Sequence, residues 1–382
     1  MNIDIIKPTA AVALADIARK MEAEGKKIIK LQTGDPDFST HPTIIEAANK
    51  ALLEGNTHYS FSQGLPVLRK KIASQYGSEL DFSISQEQIL ISNGAAEGFF
   101  SVMAALIEPG DEVILLEPNW PTVDSLVLLM GGVPVKINSF EENEKILFKL
   151  NERYSSKTKM LCFNTPNNPT GTVLQQNLID TICNWAIEKQ IYIVADEVYR
   201  SLQFSKSKTS SINFLSRYPK YIYINSFSKK FAMTGWRIGY VIAEEKLIKR
   251  ILKPSQLAIT NVAAFIQYAA LEALENEASN VYCEEMLNEY EERRNQIVLF
   301  CDSLNIKYIF PNGAFYLFIK LPDTYQDDVT FCNRSLQEYQ TCIVPGSAFG
   351  KSGVGYVRIS FANSLETVKA GLKQIKELMN TL

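Results

Sequence analysis

Short apolar runs alternate with amphipathic segments through the middle of the chain, and this alternation constrains the fold more than any other feature. Five runs rich in β-branched and aromatic residues are typical of buried strands (88–92, 111–116, 159–163, 191–195 and 221–224). Residues 176–190 separate the third and fourth runs and place their apolar side chains on one helical face. Strands joined by such crossover helices predict an α/β fold with a mainly parallel sheet flanked by helices. Ligands of such folds bind at the carboxyl ends of the strands.

The alternation of short apolar runs and amphipathic segments ends at about residue 275, and the sequence that follows predicts a second, smaller α+β unit. Residues 284–304 form a long charged amphipathic stretch, and three strand-like runs follow it (308–310, 315–319 and 356–360). No low-complexity linker separates the two parts, so we expect a helix at the boundary. The sequence therefore predicts a large domain over residues 41–280. It also predicts a small domain formed by residues 1–40 and 281–382, with an N-terminal arm.

The composition argues against several classes of protein. Of the 382 residues, 46% are hydrophobic and 21% are charged, which is ordinary globular usage and disfavours disorder and fibrous repeats. The 39 basic and 42 acidic side chains give a net charge of -3, so the chain offers no strong field for nucleic acid or an anionic membrane. No run approaches the roughly 18 apolar residues of a membrane span, and the N-terminal residues are charged where a signal peptide is apolar.

The cysteine and histidine content points away from structural metals and disulfides. The six cysteines form no C-x-x-C pair, and the chain has two histidines. This pattern indicates neither a disulfide framework nor a metal site. We expect reduced thiols, no bound metal and a cytoplasmic location.

Polar side chains follow the ends of the predicted strands. Asp196 and Tyr199 come after the run 191–195, and a turn-rich loop at 164–171 follows the run 159–163. Residues 94–98 open a helix-like segment whose free N–H groups suit a phosphate. The last run leads into hydroxyls, a lysine and an arginine that resemble an anion site beside an amine (Ser226, Ser228, Lys229 and Arg237). Taken alone, each group also fits a helix cap, a turn or a solvated surface position.

Several motifs in one order are more specific than any one of them. The chain contains Lys7-Pro-Thr-Ala, Gly34-Asp-Pro-Asp, Tyr59 with Gly64-Leu-Pro-Val-Leu-Arg, Asn168-Pro-Thr-Gly, Asp196-Glu-Val-Tyr, Ser226-Phe-Ser-Lys229 with Gly235-Trp-Arg237, Gly313-Ala-Phe-Tyr and Val357-Arg358-Ile-Ser. In this combination it resembles the class I and II aminotransferases. These are pyridoxal-phosphate enzymes of fold type I, like the aspartate and aromatic aminotransferases. The resemblance runs nearly end to end, and it identifies the predicted large domain as the one that binds pyridoxal 5'-phosphate.

The resemblance implies a catalytic role for three residues. Lys229 matches the lysine that forms a Schiff base with the cofactor and then moves the substrate α-proton. Lys230 is its rival, but the spacing to the following Phe and Met favours Lys229. Asp196 matches the acid that keeps the pyridinium nitrogen protonated, which makes the ring an electron sink. Tyr199, together with Asn168, matches the pair that hydrogen-bonds the phenolic oxygen and lowers the pKa of the Schiff base.

The resemblance also implies which residues hold the rest of the cofactor. Trp120 matches the aromatic residue that stacks on the ring, although an aromatic at this position also fits a hydrophobic core. Tyr59 matches a tyrosine that reaches the phosphate of the neighbouring subunit, which implies a homodimer with shared sites. The remaining phosphate ligands are the backbone of one helix start, two hydroxyls and one arginine (Ala95, Ala96, Ser226, Ser228 and Arg237).

Substrate contacts follow from the same resemblance. Arg358 matches the arginine that binds the α-carboxylate through a two-point fork, and the backbone at Gly34 closes the other side. Asn168 and Trp120 are expected to line the substrate as well. The implied reaction moves an amino group between an L-amino acid and a 2-oxo acid. Some relatives that accept dicarboxylates carry a lysine in the loop at 94–97, and this chain has alanines and a glutamate there. Acidic substrates therefore lack that counter-charge.

Two other functions use related scaffolds. The same lysine, aspartate and phosphate cradle can run elimination or cyclisation, because the outcome depends on which bond is aligned with the cofactor ring. An aminotransferase-like effector domain of a DNA-binding regulator is the non-catalytic alternative. The motifs begin by Gly34, which leaves no room for a DNA-binding module before them, and the chain has no basic stripe. Transamination is therefore the favoured function, and a lyase-type reaction is the alternative.

Overall fold

A computed structural model describes residues 6, 10–80, 82–205, 207–325 and 327–381. Lys7, Pro8 and Thr9 of the first quoted motif lie outside these residues. The helices are α1 (Ala10–Ala23), α2 (Pro42–Leu53), α3 (Pro66–Glu79), α4 (Gly94–Leu106), α5 (Pro121–Leu129), α6 (Asn143–Arg153), α7 (Gln176–Glu188), α8 (Phe227–Lys230), α9 (Glu245–Ile259), α10 (Ala264–Glu275), α11 (Glu277–Ser303), α12 (Asp328–Tyr339) and α13 (Leu365–Met379). The strands are β1 (Ile29–Lys30), β2 (Ile89–Ser92), β3 (Glu112–Glu117), β4 (Val133–Asn138), β5 (Thr158–Asn164), β6 (Tyr192–Asp196), β7 (Tyr221–Ser226), β8 (Gly239–Ala243), β9 (Tyr308–Ile309), β10 (Tyr316–Lys320), β11 (Thr341–Cys342), β12 (Val344–Pro345) and β13 (Tyr356–Ser360).

The larger sheet has seven strands in the order β2-β8-β7-β6-β5-β3-β4. Strand β8 is antiparallel to both of its neighbours, and the other pairings are parallel. Side chains alternate between the two faces of the sheet, so that Leu161 and Phe163 join one hydrophobic cluster while Met160 and Cys162 join another. Helices cover both clusters, which explains why the strands are apolar throughout. The predicted fold class is confirmed.

Five of these strands match the apolar runs of the sequence, and two do not. Strand β4 contains Pro134 and Lys136, pairs only with β3 and is half-buried, because it forms an edge of the sheet. Strand β8 follows directly on residues 225–238, whose mixed polar and aromatic sequence hides its short apolar pattern. Helix α7 lies between β5 and β6, as its amphipathic pattern predicts.

A second sheet of four antiparallel strands has the order β12-β13-β10-β9 and its own hydrophobic cluster. Strand β1 pairs in parallel with β11, so the chain near residue 30 is joined to the C-terminal part. Helix α11 has 27 residues and spans about 40 Å. Its Cys283 packs into the cluster of the larger sheet, and its Ile297 packs into that of the smaller one. Domain boundaries at residues 41 and 280 stay a prediction.

No helix in the described parts of the chain combines the length and the hydropathy needed to cross a membrane. The six cysteines are buried free thiols.

Candidate functional site

A cavity of about 500 Å³ lies at the carboxyl ends of the parallel strands, between the larger sheet and the smaller unit. Strand ends from neighbouring positions meet there, because the register pairs Asn164 with Asp196 and Asp196 with Ile224. Twelve of the thirteen residues predicted for the site line this cavity: Gly34, Ala95, Ala96, Trp120, Asn168, Asp196, Tyr199, Ser226, Ser228, Lys229, Arg237 and Arg358.

Lys229 supplies the amine of the cavity. Its Nζ donates a hydrogen bond to the backbone oxygen of Gly34 at 2.7 Å. Desolvation by the surrounding protein lowers the pKa of this amine from 10.5 to about 8; Asp35 opposes the shift, and Arg358 and Arg237 add to it. The neutral, nucleophilic form of this lysine is therefore far more populated near pH 7 than that of an ordinary lysine.

The neighbouring lysine faces another direction. Lys230 lines a separate cavity of about 350 Å³, and its Nζ donates to the Asn280 side chain at 3.3 Å. The two lysines are adjacent in sequence, but the short helix α8 sends their amines into different cavities.

Asp196 supplies the buried acid at the end of β6. Only 4% of its surface is exposed, and its carboxylate accepts a hydrogen bond from the Val198 backbone N–H at 3.2 Å. Burial raises the pKa of this carboxyl from 3.8 to about 7; the Val198 hydrogen bond opposes the shift, and the charge of Glu197 adds to it. The Glu197 side chain is itself held by Ser210 and Ser211. A cationic nitrogen placed beside Asp196 would stabilise its charged form.

Arg358 supplies a buried cation with incomplete hydrogen bonding. Its Nη1 donates to the Asn168 side-chain oxygen at 2.9 Å, and its Nη2 donates to the backbone oxygen of Gln32. Its Nε has no hydrogen-bond partner among the described residues. Burial lowers the pKa of the guanidinium. A buried arginine of this kind is suited to a planar carboxylate, which would satisfy the Nε and the charge together.

The N-terminus of α4 and Arg237 form one anion-binding corner of the cavity. Gly94 begins the helix with φ +75°, and a Cβ at this position would lie 2.7 Å from Arg237 Nη2. Glycine is therefore needed for the guanidinium to approach the first turn, where backbone N–H groups lack helical partners. The hydroxyl-bearing residues Ser226 and Ser228 line the same cavity. This set of donors suits a phosphate group.

Trp120 precedes α5 and is half-buried. Its ring meets Phe99 edge to face, with the ring centres 6.0 Å apart, and the residue also lines the cavity. The residue thus packs against the core and presents surface to the cavity.

Tyr59 is the predicted site residue that does not line the cavity of its own chain, and it is 87% exposed. Sequence reasoning missed Tyr316, Asp35 and Arg19, which do line it. The quoted motif that ends at Tyr316 and the one that contains Asp35 are the signals that mark two of them. Arg19 lies in α1, and no motif marks it.

Known proteins resemble this chain along nearly its whole length. Residues 26–375 match the family model described as aminotransferase class I and II. The chain is 37% identical to the (5-formylfuran-3-yl)methyl phosphate transaminase of Methanocaldococcus jannaschii over 95% of both chains. It is 36% identical to the aspartate aminotransferase of Thermotoga maritima over 95% of this chain and 94% of the relative. The solved aspartate aminotransferase of Thermus thermophilus with maleate superposes with a TM-score of 0.92 at 32% identity, covering 98% of each chain.

Proposed function

This chain belongs to the class I and II aminotransferase family, and from that premise we propose that its central cavity binds pyridoxal 5'-phosphate together with an amino acid. The observation that carries the proposal is the content of a single cavity: a lysine of lowered pKa, a buried aspartate, an incompletely bonded arginine and a helix-terminal anion corner. Each of these groups would bind one part of the cofactor or of the substrate.

The residues present fit the cofactor. The Gly94 corner has room for Arg237 but none for a Cβ, so it suits the phosphate, with Ser226, Ser228 and the first turn of α4 as donors. Asp196 would hold a proton on the pyridine nitrogen, and Trp120 would cover one face of the ring. When bound, pyridoxal phosphate supplies an electron sink for the negative charge that develops at the substrate α-carbon.

Lys229 does the proton chemistry in this proposal. Its amine would be the covalent attachment point of the cofactor. Once a substrate amine has displaced it, the free amine would take the proton from the substrate α-carbon and would deliver it to the cofactor C4′ carbon. The Gly34 carbonyl, 2.7 Å from the Nζ, keeps the amine at the substrate side of the cavity. The lowered pKa suits both tasks, because the amine must be neutral to attack and to accept a proton.

Asn168 links the substrate arginine to the cofactor site. Its side-chain oxygen accepts from Arg358, so the geometry leaves its Nδ2 as a donor for the phenolic oxygen of the cofactor. Tyr199 would donate to the same oxygen. Arg358 would then hold the substrate α-carboxylate, which fixes the α-carbon over Lys229.

A panel of amino acids tests the reaction type. We expect the cofactor-loaded protein, mixed with one amino acid and no acceptor, to convert its cofactor to the amine form and to release one equivalent of 2-oxo acid. Aspartate, glutamate, phenylalanine and leucine in parallel would identify the side chains that the cavity accepts. Repeated turnover to ammonia or to a ring product without an acceptor would contradict transamination and indicate a lyase.

Changing Arg358 should weaken substrate binding more than it slows the reaction. An Arg358→Lys variant keeps one charge but loses the two-point fork, so we expect kcat/KM to fall about 100-fold, mainly through KM. Steady-state kinetics with varied amino acid would measure this. Arg294→Lys is the matched control, because Arg294 is also buried but donates to Pro311 outside the cavity. An equal loss in both variants would contradict the assignment.

We propose that the functional unit is a homodimer in which Tyr59 reaches the partner's phosphate. Leu53 and Phe61 lie within six residues of Tyr59 in the sequence and are 90% and 60% exposed, and Leu257 near the end of α9 is 91% exposed. Asn261 donates to Ser60, so the end of α9 lies beside the loop that carries Tyr59. Such an apolar surface suits a second copy of the chain.

Sedimentation and cofactor titration test this arrangement. We expect a particle of twice 43.0 kDa, and about 10-fold weaker cofactor binding in Tyr59→Phe, since one hydrogen bond to a charged phosphate is lost. A monomer with unchanged affinity in the variant would contradict the proposal.

A further inference from the structure

Tyr316 is a buried phenol that the proposed mechanism leaves without a role. It begins β10 in the smaller unit and is 2% exposed. Its hydroxyl lies 2.7 Å from the Tyr199 hydroxyl, so the two phenols share one hydrogen bond. Tyr199 is also buried, and its ring meets that of Tyr316 at 76°. The two residues come from different units of the fold and meet at the cavity wall.

The surrounding backbone is built around the Tyr316 hydroxyl. A Cβ on Gly34 would lie 1.9 Å from this oxygen, so glycine is needed there for the hydroxyl to fit. The carbonyl of the same Gly34 accepts from the Lys229 amine. The Arg358 guanidinium lies 4.6 Å from the centre of the Tyr316 ring. The hydroxyl thus lies between the Gly34 backbone and the Tyr199 hydroxyl, and Arg358 lies over the ring that carries it.

Among the described residues, the Tyr316 hydroxyl is the one group that hydrogen-bonds the Tyr199 hydroxyl. A phenol has one proton to donate and can also accept a hydrogen bond. Either hydroxyl can donate in this pair. When Tyr199 uses its one proton to bond the cofactor, Tyr316 must donate to Tyr199, and the Tyr199 proton is then directed away from Tyr316 and into the cavity. A donor that also accepts a hydrogen bond is polarised and becomes a stronger donor.

We propose that Tyr316 is a positioning residue that aims the Tyr199 hydroxyl at the phenolic oxygen of the cofactor through their shared hydrogen bond. The inference rests on the proposed binding of pyridoxal phosphate. A hydrogen bond to an ionised oxygen favours the ionised form, so Tyr316 acts on the cofactor's proton affinity without touching it.

A pH titration of the visible absorption of the cofactor-loaded protein tests the inference. Loss of the donor makes the cofactor hold its proton to higher pH, so the midpoint of the colour change should rise in Tyr316→Phe by about 0.5 pH unit. Tyr199→Phe should raise it further, and the double variant should match Tyr199→Phe, because Tyr316 acts only through Tyr199. Tyr290→Phe is the control, since Tyr290 is a buried tyrosine bonded to Asp37.

Each outcome has one meaning. An unchanged midpoint in Tyr316→Phe, alongside a shift in Tyr199→Phe, overturns the inference, and so do shifts that add in the double variant. Tyr316→Leu also removes the hydroxyl and should raise the midpoint in the same way, which gives a second test if Tyr316→Phe does not fold. A wild-type protein that takes up no coloured cofactor overturns the proposed function itself, and the inference with it.

Discussion

Replacing Lys229 with alanine is expected to abolish borohydride-stable cofactor attachment and to lower the transamination rate by about 10⁴-fold or more. Two contributions would be lost together, since the proposed mechanism makes the same amine the attachment point and the proton carrier, and proton transfer alone contributes about 10²–10⁴-fold. The lowered pKa of Lys229 supports both proposed tasks, because each requires the neutral amine. Mass spectrometry of the reduced protein and single-turnover kinetics would measure the two losses separately.

Lys230→Ala is the matched control for this variant. Its amine lies in the other cavity and bonds Asn280, so attachment and rate should stay within about 3-fold of wild type. An adduct on Lys230, or full activity without Lys229, would contradict the assignment.

Replacing Asp196 with asparagine should slow the reaction by about 10³-fold while leaving cofactor attachment to Lys229 intact. Asparagine has nearly the same shape but no charge, so it cannot hold a proton on the ring nitrogen, and loss of one such electrostatic contact typically costs 10²–10³-fold or somewhat more. Rapid-mixing kinetics of the half-reaction would measure the effect. Glu197→Gln, a change in a neighbouring buried acid that does not line the cavity, should retain the rate.

Asp196→Asn should slow the reaction, but we expect it to raise the thermal stability of the cofactor-free protein. Burial raises the pKa of Asp196 from 3.8 in the unfolded chain to about 7 in the folded protein, so the folded state binds more protons between these pH values and loses stability as the pH rises. Asparagine carries no such penalty. Cofactor-free Asp196→Asn should therefore melt above wild type at pH 8, and the difference should shrink as the pH falls towards 4. If the difference in melting temperature between Asp196→Asn and wild type does not change with pH, burial does not raise the pKa of Asp196.

Strands could be predicted from the sequence where burial on both faces makes their residues continuously apolar. Strands β5, β6 and β7 are covered on both faces, so their apolar runs stand out in the sequence. Strand β4 lies at an edge and tolerates Pro134 and Lys136, and its alternation is too weak to be found. The antiparallel direction of β8 depends on its pairing with β2 and β7, which no local pattern encodes.

Some residues of the candidate site could be predicted from the sequence, and others could not. Asp196 and Ser226 end neighbouring strands, so the order of motifs along the chain predicts that they meet. Tyr199 and Tyr316 are 117 positions apart, and their contact depends on how the smaller unit packs against the carboxyl ends of the strands. Arg19 reaches the cavity only because α1 packs its Leu14 and Ala18 into that unit. Such contacts arise from tertiary packing, which single-sequence patterns do not contain.

Because β1 pairs with β11, the N-terminal segment depends on a strand that is synthesised late on the ribosome. The larger sheet is encoded by the time β8 emerges, but β11 follows about 100 residues later, which at roughly 5–20 residues per second is a delay of about 5–20 s. During that interval β1 has no partner strand, and Leu14 and Leu31 cannot yet be buried in the hydrophobic cluster of the smaller unit. Arg358 arrives later still. The strand ends that supply Asp196 and Ser226 to the cavity are therefore synthesised before the strand that carries Arg358, so the cavity is completed only when the smaller unit folds.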